Sequence, residues 1–310
     1  MEEYQIFKSL CKDNQITFLD IQTAKLWFDI FKKKGLQLLL FENTIALKHA
    51  LIALDCDQID GYLADSDKYL SKKIKIIYET NSTSKHLSNE KTTEILIAEY
   101  QSEGKGRRGK TWVSPVGHNV YLSLNFNHTI TSDISFLPIY ISIILTKALV
   151  DIGLNGLKIK WPNDLYLNNK KVSGSILDCF RSKSNTMLIF GVGINISMPI
   201  SDAFNINQPY TSVSEHYKND VCNRNYLLAS ILPCLYKSLE TFNPKLINQY
   251  IKEFEQYNIL KEHDLIIHDV NESYTAKYIC LNKDGSLKVI RGKKLIDVYA
   301  ADVSLKLGVS

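Results

Sequence analysis

The chain has 310 residues, 45% of them apolar, enough for two or three domains with hydrophobic cores. Its formal net charge of +4 is too small an excess to mark a nucleic-acid binder by itself. Cys11, Cys56, Cys179, Cys222, Cys234 and Cys280 form no C-x-x-C pair and suggest neither a zinc site nor a disulfide framework, so they read as reduced thiols of a cytoplasmic protein. The acidic start, MEEYQIFKSL, lacks the basic and apolar regions of a signal peptide. The longest apolar stretches, such as 36–41, read as too short to cross a bilayer, so no membrane contact is expected.

In chain order, residues 1 to about 70 read as mostly helical. Ile21, Ala24, Leu26, Phe28, Ile30 and Phe31 are spaced as a buried stripe, and Lys32, Lys33, Lys34 and Gly35 suit a helix end. A short strand follows at 36–41, and the polar run 64–73 marks a first boundary. Strands are predicted over 74–78, 94–100, 119–126, 157–161, 164–167, 171–179 and 187–195, with helices over 137–152 and 225–243. Asn168-Asn169 reads as a hairpin turn. The mixture predicts an α/β or α+β domain with a mixed sheet. From about 261 onward, short alternating runs at 264–269, 273–281, 286–291 and 294–299 predict a small β-barrel.

Four segments carry chemistry. Gly104-Lys105-Gly106-Arg107-Arg108-Gly109-Lys110, followed by Thr111-Trp112, puts three glycines and four cations in seven positions. That composition suits a loop closing over a phosphate or acyl-phosphate, although its spacing matches neither the Walker nor the dinucleotide fingerprint. An exposed basic turn or a short nucleic-acid patch is the alternative. Lys160-Trp161-Pro162-Asn163-Asp164-Leu165 sits at a strand end, where working side chains concentrate, or forms an ordinary Asx turn. Lys170-Lys171-Val172-Ser173-Gly174 offers a strand lysine for an anion, or one that faces solvent. Gly191-Val192-Gly193-Ile194-Asn195 is an apolar strand with two glycines and, alone, says little.

Together these segments resemble the biotin–protein ligase family. GKGRRGKTW is similar to its glycine-arginine loop, KWPNDL to its most distinctive string, KVSG to its lysine motif and GVGIN to its glycine-asparagine strand, all in the family's order. The likeness covers roughly 74–310. Asn81-Ser82-Thr83-Ser84 stands where the family has S-T-N, so Ser84 is a departure. A looser likeness makes Asn207-Gln208-Pro209-Tyr210 the adenine-side loop. Lipoate ligases share the fold but usually lack the GRGRRG and KWPND strings together.

The resemblance implies an α+β architecture: a central mixed-sheet catalytic domain of the class II synthetase-like type (69–260), a C-terminal SH3-like barrel (261–310) and a degenerate winged-helix-like N-terminal domain (1–68). It implies a ligase that joins biotin and ATP, with Mg²⁺, into biotinyl-5′-AMP and passes biotin to a lysine of the biotin carboxyl carrier protein of acetyl-CoA carboxylase. It assigns Lys171, Arg107 and Asp164 to catalysis. It assigns biotin to Ser82, Thr83, Ser84, Gln101, Gly104, Lys105, Gly106, Arg107, Trp112, Lys171 and Gly174. Nucleotide falls to Arg108, Lys110, Trp112, Asn163, Asn195 and Tyr210, and no residue is assigned to metal. Trp161 would wall the vitamin pocket. A homodimer is implied. In one branch of the family the N-terminal domain binds DNA. Here Asp20-Ile21-Gln22-Thr23 and Phe41-Glu42-Asn43 depart from that pattern, leaving Lys25, Lys32, Lys33 and Lys34 as cations, and a structural role is preferred.

Overall fold

The computed structural model describes residues 2–90, 92–127, 134–181, 186–199, 206, 208–269, 272–300 and 304–308. At the N-terminus, α1 (Glu2–Asp13) and β1 (Gln15–Thr17) precede α2 (Ile21–Lys33) and a hairpin of β2 (Leu38–Phe41) and β3 (Thr44–Leu47). The strands pair antiparallel in the order β1-β3-β2, so the region is less purely helical than expected. Asp20 caps α2 by accepting the Thr23 N–H at 2.8 Å. The helix stops where Gly35 takes φ 95° and Leu36 N donates to Phe31 O, a Schellman ending. Ala24 and Phe31 are buried, whereas Ile21 and Leu26 are 46% and 58% exposed. At 3.6 residues per turn Leu26 lies about 200° round the axis from Ala24, so one stripe cannot hold both.

This region is bonded into the rest of the molecule. Lys34 Nζ lies 2.7 Å from Glu3 and 2.5 Å from Glu79, over the rings of Tyr78 and Tyr100. That corrects its place among the cations available to DNA. The connecting residues are gripped by a buried ion pair. Arg224 Nη1 meets Glu99 Oε2 at 2.7 Å, Arg224 Nη2 donates to Ile52 O, and Leu54 N donates to Glu99 Oε1. The chain continues through α3 (Cys56–Tyr62) and a 3₁₀ segment, Asp65–Lys73, where the polar run had suggested a boundary.

The central elements are β4 (Ile74–Thr80), α4 (Thr83–Ser88), β5 (Ile95–Gln101), β6 (Val120–Asn127), α5 (Leu137–Asp151), β7 (Lys158–Lys160), β8 (Asp164–Leu167), β9 (Lys170–Arg181), β10 (Thr186–Ile194), α6 (Val213–His216), α7 (Arg224–Thr241) and α8 (Ile247–Tyr257). Their seven strands run β4-β5-β6-β10-β9-β8-β7, with β4 and β5 parallel and every other pair antiparallel. Alternation divides the faces. Ile95, Ile97, Leu188 and Phe190 belong to the main core with α5 and α7, while Leu96 and Ile189 pack with Leu87 of α4. The stretch Ile134–Asp151 is long and apolar enough to cross a bilayer, contrary to the sequence expectation. The structure instead buries much of it in this core, with Ile139, Ile143 and Leu149 fully covered.

Asn168 and Asn169 both take positive φ, 50° and 61°, at the β8–β9 turn. The C-terminal strands β11 (Leu265–His268), β12 (Ser273–Leu281), β13 (Leu287–Arg291), β14 (Lys294–Val298) and β15 (Ser304–Leu307) form an antiparallel sheet in the order β14-β13-β12-β11-β15. The fifth strand, unseen in the sequence, completes the small β-domain beside β11.

Removing one partner of a buried ion pair strands the other charge. Arg224→Met is expected to cost about 3–5 kcal/mol in urea unfolding, with part of the loss recovered when Glu99→Gln is added. A cost no larger than that of an exposed substitution would show that the pair does not hold the connecting residues.

Candidate active site

Two clefts open on the α4 side and toward the C-terminal sheet, and Lys110, Thr111, Trp112, Lys160, Lys171, Gln208 and Leu305 line both. The first is floored by buried polar groups. Thr83 donates its backbone N–H (2.8 Å) and its hydroxyl (3.1 Å) to Gln101 Oε1, and Gln101 Nε2 donates to Ser114 Oγ at 2.9 Å. Ser123 Oγ donates to Thr83 Oγ1 at 2.8 Å, and the hydroxyls of Ser82 and Ser84 lie 3.3 Å apart. Such a chain orients donors and acceptors for the polar head of a ligand. Gly191 and Gly193 lie on the same face of β10 as Ile189, opposite the core.

The basic loop is a flap between β5 and β6. Lys105 bridges Thr111, Gly106 N donates to Lys110 O at 2.6 Å, and Trp112 N donates to Gly104 O at 2.8 Å. A Cβ on Gly104 would sit 2.3 Å from Trp112 O, which explains glycine there. Arg108 and Gly109 take positive φ at the tip. Lys105, Arg108 and Lys110 are exposed, but Arg107 points inward, donating to Asn163 Oδ1 (3.2 Å) and Ala300 O (2.5 Å). Burial lowers the Arg107 pKa, opposed by Asp164 and furthered by Arg108.

Lys171 and Asp164 come together through the β8–β9 hairpin, where Asp164 stands opposite Gly174. Lys171 Nζ is 2.7 Å from Asp164 Oδ1 and 5.3 Å from the Trp112 ring centre. A Cβ on Gly174 would meet Lys171 Nζ at 3.0 Å and Asp164 Oδ1 at 3.1 Å, so this glycine makes room for the pair as well as bordering the first cleft. Trp161 borders that cleft too, but its N–H is committed to Gly285 O at 2.8 Å, and the Trp161–Pro162 bond is cis.

The second cleft, of about 780 Å³, is bordered by Trp112, Asn195, Tyr210 and Lys110. Asn195 Nδ2 holds Thr211 O at 3.1 Å, and Lys171 exchanges backbone bonds with Pro209 and Thr211, which fixes Tyr210 beside it. Arg108 and Asn163, read as nucleotide residues, border the first cleft and not the second. Asn207 lies outside the described residues. Sequence reading missed Ser114, Ser123 and Ser175, because a lone serine carries no signal until the fold shows what it faces. It also passed over Lys160, although Lys160 opens the KWPND string. Burial brings the Lys160 ammonium down to about 8, against Asp164 and with Lys171, Lys110 and Lys306.

The strand order, the flap and the paired clefts define an α+β domain with two adjoining binding clefts. Residues 73–195 match the biotin/lipoate A/B protein ligase family. It is similar to the bifunctional ligase/repressor BirA of Salmonella typhimurium, 28% identical over 291 residues spanning 89% of this chain and 86% of that protein. It is also similar to BirA of Escherichia coli, 29% identical over 258 residues spanning 80% and 76%. In fold it resembles the biotin protein ligase from Aquifex aeolicus in complex with biotin and ATP, with TM-score 0.61 and 23% identity over 76% of this chain and 99% of that one.

A methyl group at Gly193 would sit 2.4–2.6 Å from the Trp112 ring. Gly193→Ala is expected to displace the indole and to destabilise the fold by about 1–3 kcal/mol, read by thermal unfolding and by a shifted tryptophan emission. An unchanged emission maximum would show that the ring does not rest on this glycine.

Proposed function

We propose that the chain is a biotin–protein ligase that holds biotin in the first cleft and ATP in the second, and biotinylates a lysine of a biotin carboxyl carrier protein. The observation that carries this reading is the position of Lys171, paired with Asp164 at the wall shared by both clefts. A carboxylate reaching from the first cleft would meet an α-phosphate in the second beside this ammonium. Attack of the carboxylate oxygen on the α-phosphorus forms the mixed anhydride, and the breaking P–O bond leaves with pyrophosphate. Lys171 and Arg107 would offset the charge that gathers there. The Ser82, Thr83, Ser84 and Gln101 cluster would hold the ureido head, and Trp112 and Tyr210 the adenine. The flap, tied by Arg107 to Ala300, would keep water from the anhydride.

In the second step a carrier amine attacks the acyl carbon and AMP leaves. An exposed lysine has a pKa of about 10.4 and must first lose a proton. Asp164 accepts it once Lys171 has turned to the phosphate. Among the described residues no three His, Cys, Asp or Glu side chains converge. Mg²⁺ would be carried on the phosphates of the nucleotide and would supply further positive charge there, as hard cations bound through few protein ligands do. Six free thiols accord with a reducing compartment.

We also infer a structural role for the N-terminal domain in place of DNA reading. Phe18–Asp20 alone separate β1 from α2, leaving no room for the first helix of a helix-turn-helix. Leu19 and Leu26 are exposed, and Lys34 is held by two glutamates. Affinity for duplex DNA is expected to stay in the non-specific range of about 10⁻⁴–10⁻⁶ M at physiological salt, and nanomolar operator binding would refute the inference.

Biotin-dependent ATP–pyrophosphate exchange tests the ligase reading directly. Lys171→Ala should lower exchange by about 10²–10³-fold at an unchanged melting temperature. Asp164→Asn should slow transfer from preformed adenylate by about 10²-fold or more. Exchange supported by lipoate and not by biotin would make the chain a lipoate ligase instead.

A further inference from the structure

We infer that Lys160, His263 and Lys306 form a subsite for the β- and γ-phosphates of the nucleotide, the pair that leaves as pyrophosphate. The inference rests on the adenylation reading above, which places Lys171 and Arg107 at the carboxylate and α-phosphate and names no side chain for the β- and γ-phosphates. All three residues border the second cleft, and they come from elements other than those carrying Asn195 and Tyr210.

The fold brings them together at the seam between the central and C-terminal sheets. Lys160 ends β7, and the neighbouring Ile159 bridges Asn258, which begins the turn leading to His263. Lys158 and Glu262 pair across the same seam at 2.9 Å. Lys306 lies on β15 opposite Ile266 of β11, three residues past His263, and Gly308 N closes onto Asp264 O.

Their charges and hydrogen-bonding capacity are unspent. Asp164, the strand partner of Lys160, is held at 2.7 Å by Lys171. Lys160 Nζ donates instead to the phenol of Tyr166, at 3.3 Å. Among the described residues neither Lys160 nor Lys306 enters an ion pair. Both ring nitrogens of His263 are shut off from solvent and have no hydrogen-bond partner. An unsatisfied buried polar group is costly, and one on the wall of a ligand cleft regains its bond when the ligand supplies it. The depressed pKa of Lys160, set by burial and by Lys171, Lys110 and Lys306, marks a field that a polyphosphate would reverse.

Calorimetric titration of inorganic pyrophosphate, with magnesium and without biotin or ATP, tests the subsite apart from turnover. The wild type should bind it. Lys160→Gln should weaken binding by about tenfold or more, and His263→Ala and Lys306→Gln, at positions that border the second cleft and not the first, by several-fold with biotin affinity unchanged. Lys306 is exposed, so its variant keeps the test open if a buried substitution fails to fold. No pyrophosphate binding by the wild type, or equal binding by wild type and folded variants, overturns the subsite. So does a selective loss of carrier-peptide binding with pyrophosphate binding intact, which would assign the cations to carboxylates of the acceptor. Pyrophosphate binding lost in the variants of a protein that shows no biotin-dependent exchange would support the subsite and refute the ligase reading. Normal exchange with an unchanged pyrophosphate KM in the variants would do the reverse.

Discussion

Bringing a carboxylate up to a polyphosphate sets the constraint on the proposed reaction. Two unit charges of like sign 4 Å apart repel by about 4 kcal/mol at an effective dielectric of 20, and a triphosphate multiplies that cost. In the proposed reaction positive charge must therefore be in place before the reactants meet, and it must not be spent elsewhere. Lys171 would serve this, paired with a single aspartate in a contact it can exchange for phosphate. Among the described residues lining the two clefts, Arg107, Lys110, Lys160 and Lys306 outnumber the one carboxylate, Asp164. A protein held together by these charges would have neutralised them. Here hydrophobic burial behind the sheet and the Arg224–Glu99 pair on the far side hold the fold.

The same constraint explains where side chains are missing. β10 gives bulky residues to the core and glycines to the cleft, an alternation that thickens one face and hollows the other. Trp112 lies over Gly193 because a Cβ there would stand inside its ring, and Gly174 keeps clear the space that the Lys171 and Asp164 heads occupy. The glycines that carry the site are thus read by what they leave open. Their φ values matter at the flap tip, where Gly109 takes φ 72° beside Arg108 at 56°.

Strands and motifs were legible where local chemistry repeats itself. Alternating Ile, Val and Leu located β4 through β10, and the Asn168-Asn169 turn announced its hairpin. The flap, Asp164 and Lys171 stood out because glycine, cation and carboxylate crowd into short windows. Ser123 and His263 did not, since each acquires meaning from partners 40 or more positions away in the chain or from a cleft between sheets. Leu26 was misplaced because an apolar residue near a stripe is easily counted into it, although helix geometry puts it on the opposite side. The helicity of the N-terminal region was overread for a related reason: β1, β2 and β3 are 3, 4 and 4 residues long, too short for alternation to compete with the strong pattern of α2.

The placement of the N-terminal domain bears on the flap itself. On the entering side, Ser102 N and Glu103 N donate to Thr80 O and Asn81 O. On the leaving side, Val116 N donates to Lys34 O at the end of α2, and Gly117 lies against the ring of Phe7 so closely that a Cβ would come within 2.9 Å of it. Between these anchors Ser114 joins both Gln101 and Trp112. Opening of the flap is therefore confined to the residues from Gly104 to Val113, with Gly104, Gly106 and Gly109 as the positions best able to absorb a backbone rotation. The N-terminal domain thus bounds the hinge on its leaving side, through backbone bonds and packing that do not depend on any contact with DNA.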